Sequence, residues 1–352
     1  MTPRNTILCG DAYERLRELE AASVDCVITS PPYYALRSYG VAGQIGLEPT
    51  VFAWVDALRR VMLQVARVLK PTGSVWLELG DSYSRGPRYG APAKSLLLGP
   101  ERLLLGLADD GWIVRNKVVY AKTNPMPHSV GDRLNSTYDV LYFLVRSRIY
   151  HYDLDSIREA HRSRRARGAR AQPVRPAGWA GPLAGSNSGL LRARPSDVPG
   201  HWRGKNPGDV WQLPASNYRG PHFATFPEVL VERPLLATCP ERICSTCAAP
   251  WRRRVTIRHQ GVVASAGRDQ HVRRYPRRWE TSRRVGDLEA ACGCGAPTVA
   301  GLALDPFAGS GTVGVVAAKH RRDWLGIELN PDYVALANAR LAAANGGEPA
   351  AA

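Results

Sequence analysis

The chain is an α/β protein by its sequence, built on an open, mostly parallel sheet. Short apolar runs alternate with amphipathic helical stretches over residues 6–150 and again over 301–344. Two of these runs, 24–28 and 301–304, are largely apolar on both faces, the pattern of a buried parallel strand. Each runs directly into a breaker-rich turn, Thr29-Ser30-Pro31-Pro32-Tyr33 in one case and Asp305-Pro306-Phe307-Ala308-Gly309-Ser310-Gly311-Thr312 in the other.

The elements follow in order. Residues 6–9 are a strand leading into Gly10-Asp11, and 12–20 an amphipathic helix. Strand 24–28 ends at the tandem prolines. Residues 54–69 have helical periodicity and stop at Lys70-Pro71-Thr72-Gly73, a cationic last turn followed by breakers. Residues 74–79 form the next strand, 96–108 a helix, and 112–120 and 140–145 two further strands. Residues 161–205 are rich in Arg, Gly, Pro and Ser without a period, as in a long loop, a partly disordered segment or a small irregular subdomain. Order returns at Gly208-Asp209-Val210-Trp211, and 226–237 is a helix with Pro227 and Glu228 at its start. A second basic insertion covers 239–296. Strand 301–304, a glycine turn, helix 312–320, strand 324–327 and helix 331–344 close the fold, before a frayed tail.

Composition narrows the function classes. The chain has 352 residues, 44% hydrophobic content and a formal net charge of +16, so it can bury a full core and calls for an anionic partner. A generally basic, Arg-rich proteome would produce the same charge. No apolar run approaches the roughly 18 residues of a membrane span. The N-terminus lacks a signal peptide's apolar stretch, so the expectation is a cytoplasmic protein whose seven cysteines form no structural disulfides.

The C-terminal turn reads as a cofactor cradle. Gly309, Gly311 and Gly314 satisfy G-x-G-x-x-G, which alone would indicate a dinucleotide. Glycines let the backbone approach a ligand, and the helix N-terminus that follows favours a carboxylate or phosphate. Glu328 closes the next strand, where an acid can hold ribose hydroxyls. Asp305, directly ahead of the loop, can pair with an ammonium, which a pyrophosphate site does not need. S-adenosylmethionine fits this set better than NAD.

The N-terminal turn reads as a grip on a planar amine. Tandem prolines remove two N–H donors and leave carbonyls as acceptors. Ser30 adds a hydroxyl, and Tyr33 and Tyr34 add flat rings for stacking. Such a pocket suits the exocyclic NH₂ of a base extruded from a duplex. Two acceptors on its hydrogens would localise a lone pair otherwise delocalised into the ring. A carbon-5 methylation of cytosine would need a cysteine nucleophile here, and the residues after the prolines are tyrosines, with Cys26 inside the preceding strand. No general base is evident.

Together the two turns resemble the β class of amino-methylating DNA methyltransferases, the permuted order in which the target-amine motif precedes the cofactor motif. Ser-Pro-Pro-Tyr resembles the N4-cytosine members; adenine-N6 members more often carry Asp or Asn at the Ser30 position. Gly10-Asp11 looks like the family's acidic contact to the cofactor adenine. Leu36-Arg37-Ser38-Tyr39-Gly40 with Gly43-Gln44-Ile45-Gly46-Leu47-Glu48 looks like a loop flanking the site. Leu79-Gly80-Asp81-Ser82-Tyr83 matches the strand end beside the target pocket. His222-Phe223-Ala224-Thr225-Phe226-Pro227 looks like the segment packing on the cofactor's methionine end.

The resemblance implies a Rossmann-like methyltransferase sheet interrupted by basic insertions. Together with the composition and the cysteine spacing, the resemblance divides the chain into 1–155, the catalytic half with the amine motif; 156–207, an irregular basic segment for target recognition; 208–238, a cofactor-packing segment; 239–298, a basic insertion outside the family pattern that is expected to bind zinc; 299–345, the cofactor-binding half; and 346–352, a tail. It implies methyl transfer from S-adenosylmethionine to cytosine N4 in double-stranded DNA, with adenine N6 as the alternative. An NAD oxidoreductase, or a zinc-containing DNA-binding regulator without activity, is a more distant alternative. Ser30, Pro31, Pro32 and Tyr33 are the expected catalytic set. Asp11, Phe226, Asp305, Phe307, Gly309, Gly311, Thr312, Glu328 and Asn330 are the expected cofactor set. A homodimer and a cognate restriction nuclease are the expected protein partners.

The second insertion departs from the family pattern. Cys244-x-x-Cys247 has zinc-knuckle spacing and Cys292-x-Cys294 is a tighter chelating pair. A structural Zn2+ on these four is the expectation, with free thiols as the alternative and Cys239, His259 and His271 as substitute ligands. Between the pairs lie Trp251-Arg252-Arg253-Arg254, Arg273-Arg274-Tyr275-Pro276-Arg277-Arg278-Trp279 and Arg283-Arg284. Arginine forks with interleaved aromatics suit DNA phosphates and bases, though a solvated loop would also carry such charge.

Overall fold

The computed structural model describes residues 1–127, 129–161, 201–215, 226–262 and 278–344. The chain divides into a large unit, Met1–Tyr152 with Asp209–Ala352, and a small one, Asp153–Gly208. Within the small unit, Asp153 caps a 3-10 turn over Leu154–Ser156. There Glu159 bridges Lys205, and Asp155 receives Arg158 and Arg203. The arginine-rich run at 162–167 and the tail lie outside the described residues.

The large unit holds an eight-stranded sheet. Its strands in chain order are β1 (Thr6–Cys9), β2 (Val24–Thr29), β3 (Leu69–Leu79), β4 (Ile113–Lys122), β5 (Tyr138–Val145), β6 (Val210–Leu213), β11 (Leu302–Asp305) and β12 (Asp323–Glu328). The spatial order is β1-β12-β11-β2-β3-β5-β4-β6. Only β5 runs against its neighbours. The intervening strands β7 (Ile243–Cys244) with β10 (Thr298–Val299), and β8 (Arg252–Val262) with β9 (Arg278–Glu289), form two separate two-stranded ribbons.

Helices cover both faces. On one, α1 (Ala12–Glu18), α2 (Val51–Val68) and α3 (Gly99–Asp109) bury Leu16, Trp54, Leu58 and Leu103 against Val27, Val75 and Leu304. On the other, α4 (Glu228–Thr238), α5 (Thr312–Lys319) and α6 (Pro331–Ala344) bury Leu235, Val316 and Leu341 against Cys26, Ile28 and Ala303. Strand β2 is buried at every position because it is covered on both faces.

Most elements start or end within three residues of the sequence reading, and two of the shifts have a clear local reason. Helix α2 begins at Val51 because Thr50 caps it, its hydroxyl accepting from Ala53 N–H at 3.2 Å. Strand β3 begins at Leu69, so Lys70-Pro71-Thr72-Gly73 lies inside a strand. Pairing with β2 jumps from Val24↔Leu69 to Cys26↔Ser74, a bulge that absorbs the proline without a ladder bond. Lys70 turns inward there and pairs with buried Asp25 at 2.7 Å, while the other Asp25 oxygen accepts from Leu302 N–H at 2.9 Å.

Asp25 thus ties the bulge of β3 to the start of β11. Its replacement strands a buried ammonium, which costs about 3–5 kcal/mol. Urea unfolding of Asp25→Ala should show that loss, and the Asp25→Ala/Lys70→Met double variant should recover most of it. Equal destabilisation of both variants would mean the ion pair is not the source.

Candidate active site

The chain leaves β2 toward β3 and leaves β11 toward β12, in opposite directions across the sheet. Adjacent strands that part this way open a crevice at their carboxyl ends. Both turns singled out in the sequence sit there. The pairing Ala303↔Cys26 and Leu304↔Val27 sets their register. Thr29 Oγ1 donates to Asp305 Oδ1 at 2.6 Å, joining residues 276 apart in sequence.

On the β2 side, Ser30 donates its hydroxyl proton to Glu78 at 2.5 Å. The Tyr33 hydroxyl lies 2.7 and 2.8 Å from the two Glu78 oxygens and 3.4 Å from Asp139. Asp139 pairs with Lys122 at 2.5 Å. Gly80 makes room for the Tyr33 ring, since a Cβ there would stand 2.5 Å from it. Pro31 is buried, and the Pro32 carbonyl accepts from the Trp54 indole N–H at 2.9 Å. Tyr34 points into the core beside Trp54 and Tyr89, which removes it from the stacking wall. Burial and then neighbouring Asp139 push the Glu78 carboxyl up to about 8.

Sequence reasoning missed Glu78 altogether. The available signal was Leu77-Glu78-Leu79, an acid inside a strand read as buried. A buried carboxylate without a structural cation is a functional-site marker. Cys26, by contrast, is wholly buried 3.2 Å from Thr238 Oγ1, and burial pushes its thiol up to about 12. It is no nucleophile.

On the β11 side, Asp305 Oδ1 also accepts from Phe307 N–H at 3.0 Å, while Oδ2 is buried with no partner. Burial raises this carboxyl to about 7. A buried carboxylate oxygen left without a partner fits an incoming cation. Gly309 and Gly311 take left-handed φ values of 51° and 75°. Glu328 accepts from Gly309 N–H at 2.8 Å and from Asn330 N–H at 2.9 Å, and burial raises its pKa. One carboxylate therefore holds both ends of the cradle.

The remaining candidates are placed as follows. Asp11 caps α1, accepting from Glu14 N–H at 3.1 Å, and its neighbour Gly10 donates to the Glu328 carbonyl at 2.9 Å. Thr312 is buried and its hydroxyl accepts from Arg340 at 2.9 Å, so it faces α6. Phe307 and Phe226 are partly buried, on opposite faces of the sheet. The segment 222–225 ahead of Phe226 lies outside the described residues. Asn330 also accepts from Asp332 N–H at 2.9 Å, opening α6.

Beyond Tyr34 a cleft of about 760 Å³ opens, lined by Ala35, Leu47, Glu48, Ser82, Tyr83 and Arg133 among others. The Arg133 guanidinium stands 3.7 Å above the Tyr83 ring. In the second insertion, Cys244, Cys247, Cys292 and Cys294 bring their sulfurs within 4.8 Å of one another, a set consistent with a zinc site. Of the substitute ligands, Cys239 is buried in the main core and His259 lies on β8, outside that cluster. His271 is not among the described residues. No helix among the described residues is long and apolar enough to cross a membrane.

Comparison with known proteins identifies the family. The DNA methylase model of the N6/N4 family matches residues 24–243 and 298–339. A type II methyltransferase, M.XycI of Xanthomonas campestris pv. cyanopsidis, is 32% identical, covering 97% of this chain and 89% of its own. M.Cfr9I of Citrobacter freundii, also a type II methyltransferase, is 30% identical over 96% of this chain and 87% of its own. The structure of the PvuII DNA methyltransferase (cytosine-N4-specific) superposes with a TM-score of 0.55 at 18% identity, covering 96% of this chain and 86% of that one, and so shares the fold. The chain belongs to the N6/N4 DNA methylase family.

Proposed function

We propose that the protein is a site-specific DNA methyltransferase that moves a methyl group from S-adenosylmethionine to the exocyclic N4 of cytosine, by base flipping and direct transfer. The observation that carries this reading is the Ser30–Glu78 hydrogen bond at 2.5 Å, set one strand away from the unpaired Asp305 oxygen. The type II methyltransferases similar to it support a sequence-specific role alongside a restriction nuclease.

S-adenosylmethionine, when bound, supplies an electrophilic methyl on a sulfonium. Asp305 Oδ2 would take its ammonium. The backbone at Gly309 and Gly311 and the start of α5 would take its carboxylate. Glu328, its position fixed by Gly309 and Asn330, would take the ribose hydroxyls, and Asp11 the adenine. Phe307 and Phe226 would flank it. Thr312 serves by holding Ser310 and Arg340 in place behind the loop.

Ser30 donates a hydrogen bond to Glu78, so its lone pairs remain to accept an amine hydrogen. Pro31 provides the second acceptor, since the Pro32 carbonyl is engaged by Trp54. With both hydrogens held by Ser30 and Pro31, the amine lone pair would be localised on nitrogen and free to take up the methyl that the bound sulfonium would supply, the thioether being the leaving group. The displaced N–H proton passes to Ser30 as the Ser30 proton passes to Glu78. Tyr33, fixed by its hydroxyl, offers its ring as one wall for the base. Serine at the first position of the amine motif supports cytosine over adenine.

Nucleoside mass spectrometry of DNA from expressing cells should show N4-methylcytosine; N6-methyladenine alone would overturn the choice of base. Ser30→Ala should lower kcat about 10²-fold or more, the usual worth of a positioned proton acceptor, with S-adenosylmethionine affinity unchanged.

The Glu78 carboxyl gives a pH signature of defined sign. Below about 8 it holds a proton and cannot accept another; above, it is ionised and can. kcat should rise with pH through an apparent pKa near 8, and Glu78→Gln should abolish that limb. A flat profile in the parent protein would exclude Glu78 as the acceptor.

Asp305 makes the corresponding statement about the cofactor. Asp305→Asn should weaken S-adenosylmethionine by about 10- to 100-fold, the worth of a charge-assisted hydrogen bond, measured by calorimetry. In the parent protein affinity should rise as pH rises through about 7, where the carboxyl ionises. Unchanged affinity in Asp305→Asn would remove the ammonium from this site.

A further inference from the structure

The family match passes over residues 244–297. The four-sulfur cluster and the β8–β9 ribbon both lie in that interval. About 3.8 Å separates sulfurs in a tetrahedral tetrathiolate zinc site, so atoms already within 4.8 Å need little contraction. Both pairs arrive on turns suited to ligation. Cys244 Sγ accepts from the backbone N–H of Thr246 and Cys247, and Cys292 Sγ from that of Cys294. Ala248 and Gly295, each one residue past the second cysteine of its pair, take left-handed φ values of 58° and 63°.

The two pairs also stand at the two roots of the ribbon. Strand β8 starts five residues after Cys247, and β9 ends three residues before Cys292. The ribbon pairs only with itself among the described strands. An isolated two-stranded ribbon is marginal in water, and this one has no core face: residues 252–259 are all exposed. Below the sulfurs, Cys244 pairs with Thr298 in the short β7–β10 ribbon, which joins this root to the domain. Arg253 and Arg254 are held in ion pairs with Glu241 and Glu289 at the root. Farther out, Arg258 on β8 and Arg284 on β9 share one face, standing diagonally across the pairs Thr256↔Arg284 and Arg258↔Ser282.

We propose that Cys244, Cys247, Cys292 and Cys294 bind one zinc ion that staples the root of the β8–β9 ribbon, and that this ribbon is a grip on duplex DNA through Arg258 and Arg284. A two-stranded ribbon has the width of a major groove, and exposed guanidinium forks pair with phosphates in bidentate fashion. The metal supplies the rigidity that the ribbon's own packing lacks. The proposal rests on the reading of the protein as an enzyme acting on DNA.

The test uses the full chain with three readouts: zinc per chain by mass spectrometry, S-adenosylmethionine affinity by calorimetry, and anisotropy of a labelled duplex over a range of salt. About one zinc per chain is expected for a tetrathiolate site. Stripping it with a chelator under reducing conditions should weaken duplex binding about tenfold or more, and added zinc should restore it. The Arg258→Ala/Arg284→Ala variant should keep its zinc and its S-adenosylmethionine affinity. Its log K against log salt slope should be shallower by about 2, at roughly 0.9 per lost phosphate contact. Should metal removal also abolish S-adenosylmethionine binding, the arginine variant decides. Well under one zinc per chain, or an unchanged salt slope in that variant, overturns the proposal. A protein that binds neither S-adenosylmethionine nor duplex overturns the enzyme reading instead.

Discussion

The hydrogen bond from Thr29 to Asp305 joins the last residue of β2 to the last residue of β11, and the site depends on it. It exists because these strands are parallel neighbours in fixed register. A one-residue slip would turn every side chain to the opposite face. Asp25 guards against that slip from the other end of the strand, bonding Leu302 and Lys70 at once. The crevice between the two turns is thus set by backbone pairing in the core, and the loops have little to decide. Glycines at 309 and 311 then let the second turn close tightly over the start of α5.

Three carboxyls line this crevice, and burial raises the pKa of each: Glu78, Asp305 and Glu328. Buried acids of this kind oppose folding as pH rises, because ionising them without a cation costs desolvation energy. Elsewhere the large unit satisfies its buried charge, as at Lys70 and Asp25. The concentration of uncompensated acids at one place is therefore the electrostatic signature of the site. Each has a proposed task that needs it: a proton to accept, an ammonium to hold, hydroxyls to orient.

The insertions follow a different economy. The sheet lies between helices, whereas residues 252–259 of the β8–β9 ribbon are exposed on both faces and the ribbon carries arginines on each strand. Among the described residues it packs on no apolar core. A metal-thiolate centre replaces a core in segments too thin to build one. On the proposed reading the two parts of the protein divide the work: a sheet positions reacting groups, and a stapled ribbon presents charge.

The sequence by itself determined the fold class, the order of the two turns and most element positions. Helical and alternating periodicities are local, and so are Pro-Pro and glycine turns; Trp54, Leu58, Val61 and Val65 declare one helix face without knowing what it covers. The misreadings also had local causes. Pro71 is a breaker by type, yet a bulge lets β3 carry it. Tyr34 is an aromatic beside the amine motif, yet it serves the core. Only the tertiary structure decided what depends on distant residues meeting. It brought Glu78 to Ser30 across 48 positions, left one oxygen of Asp305 without a partner, and gathered four cysteines from two ends of an insertion. Such meetings follow from strand register and from which face each strand turns inward, and no window of local sequence contains them.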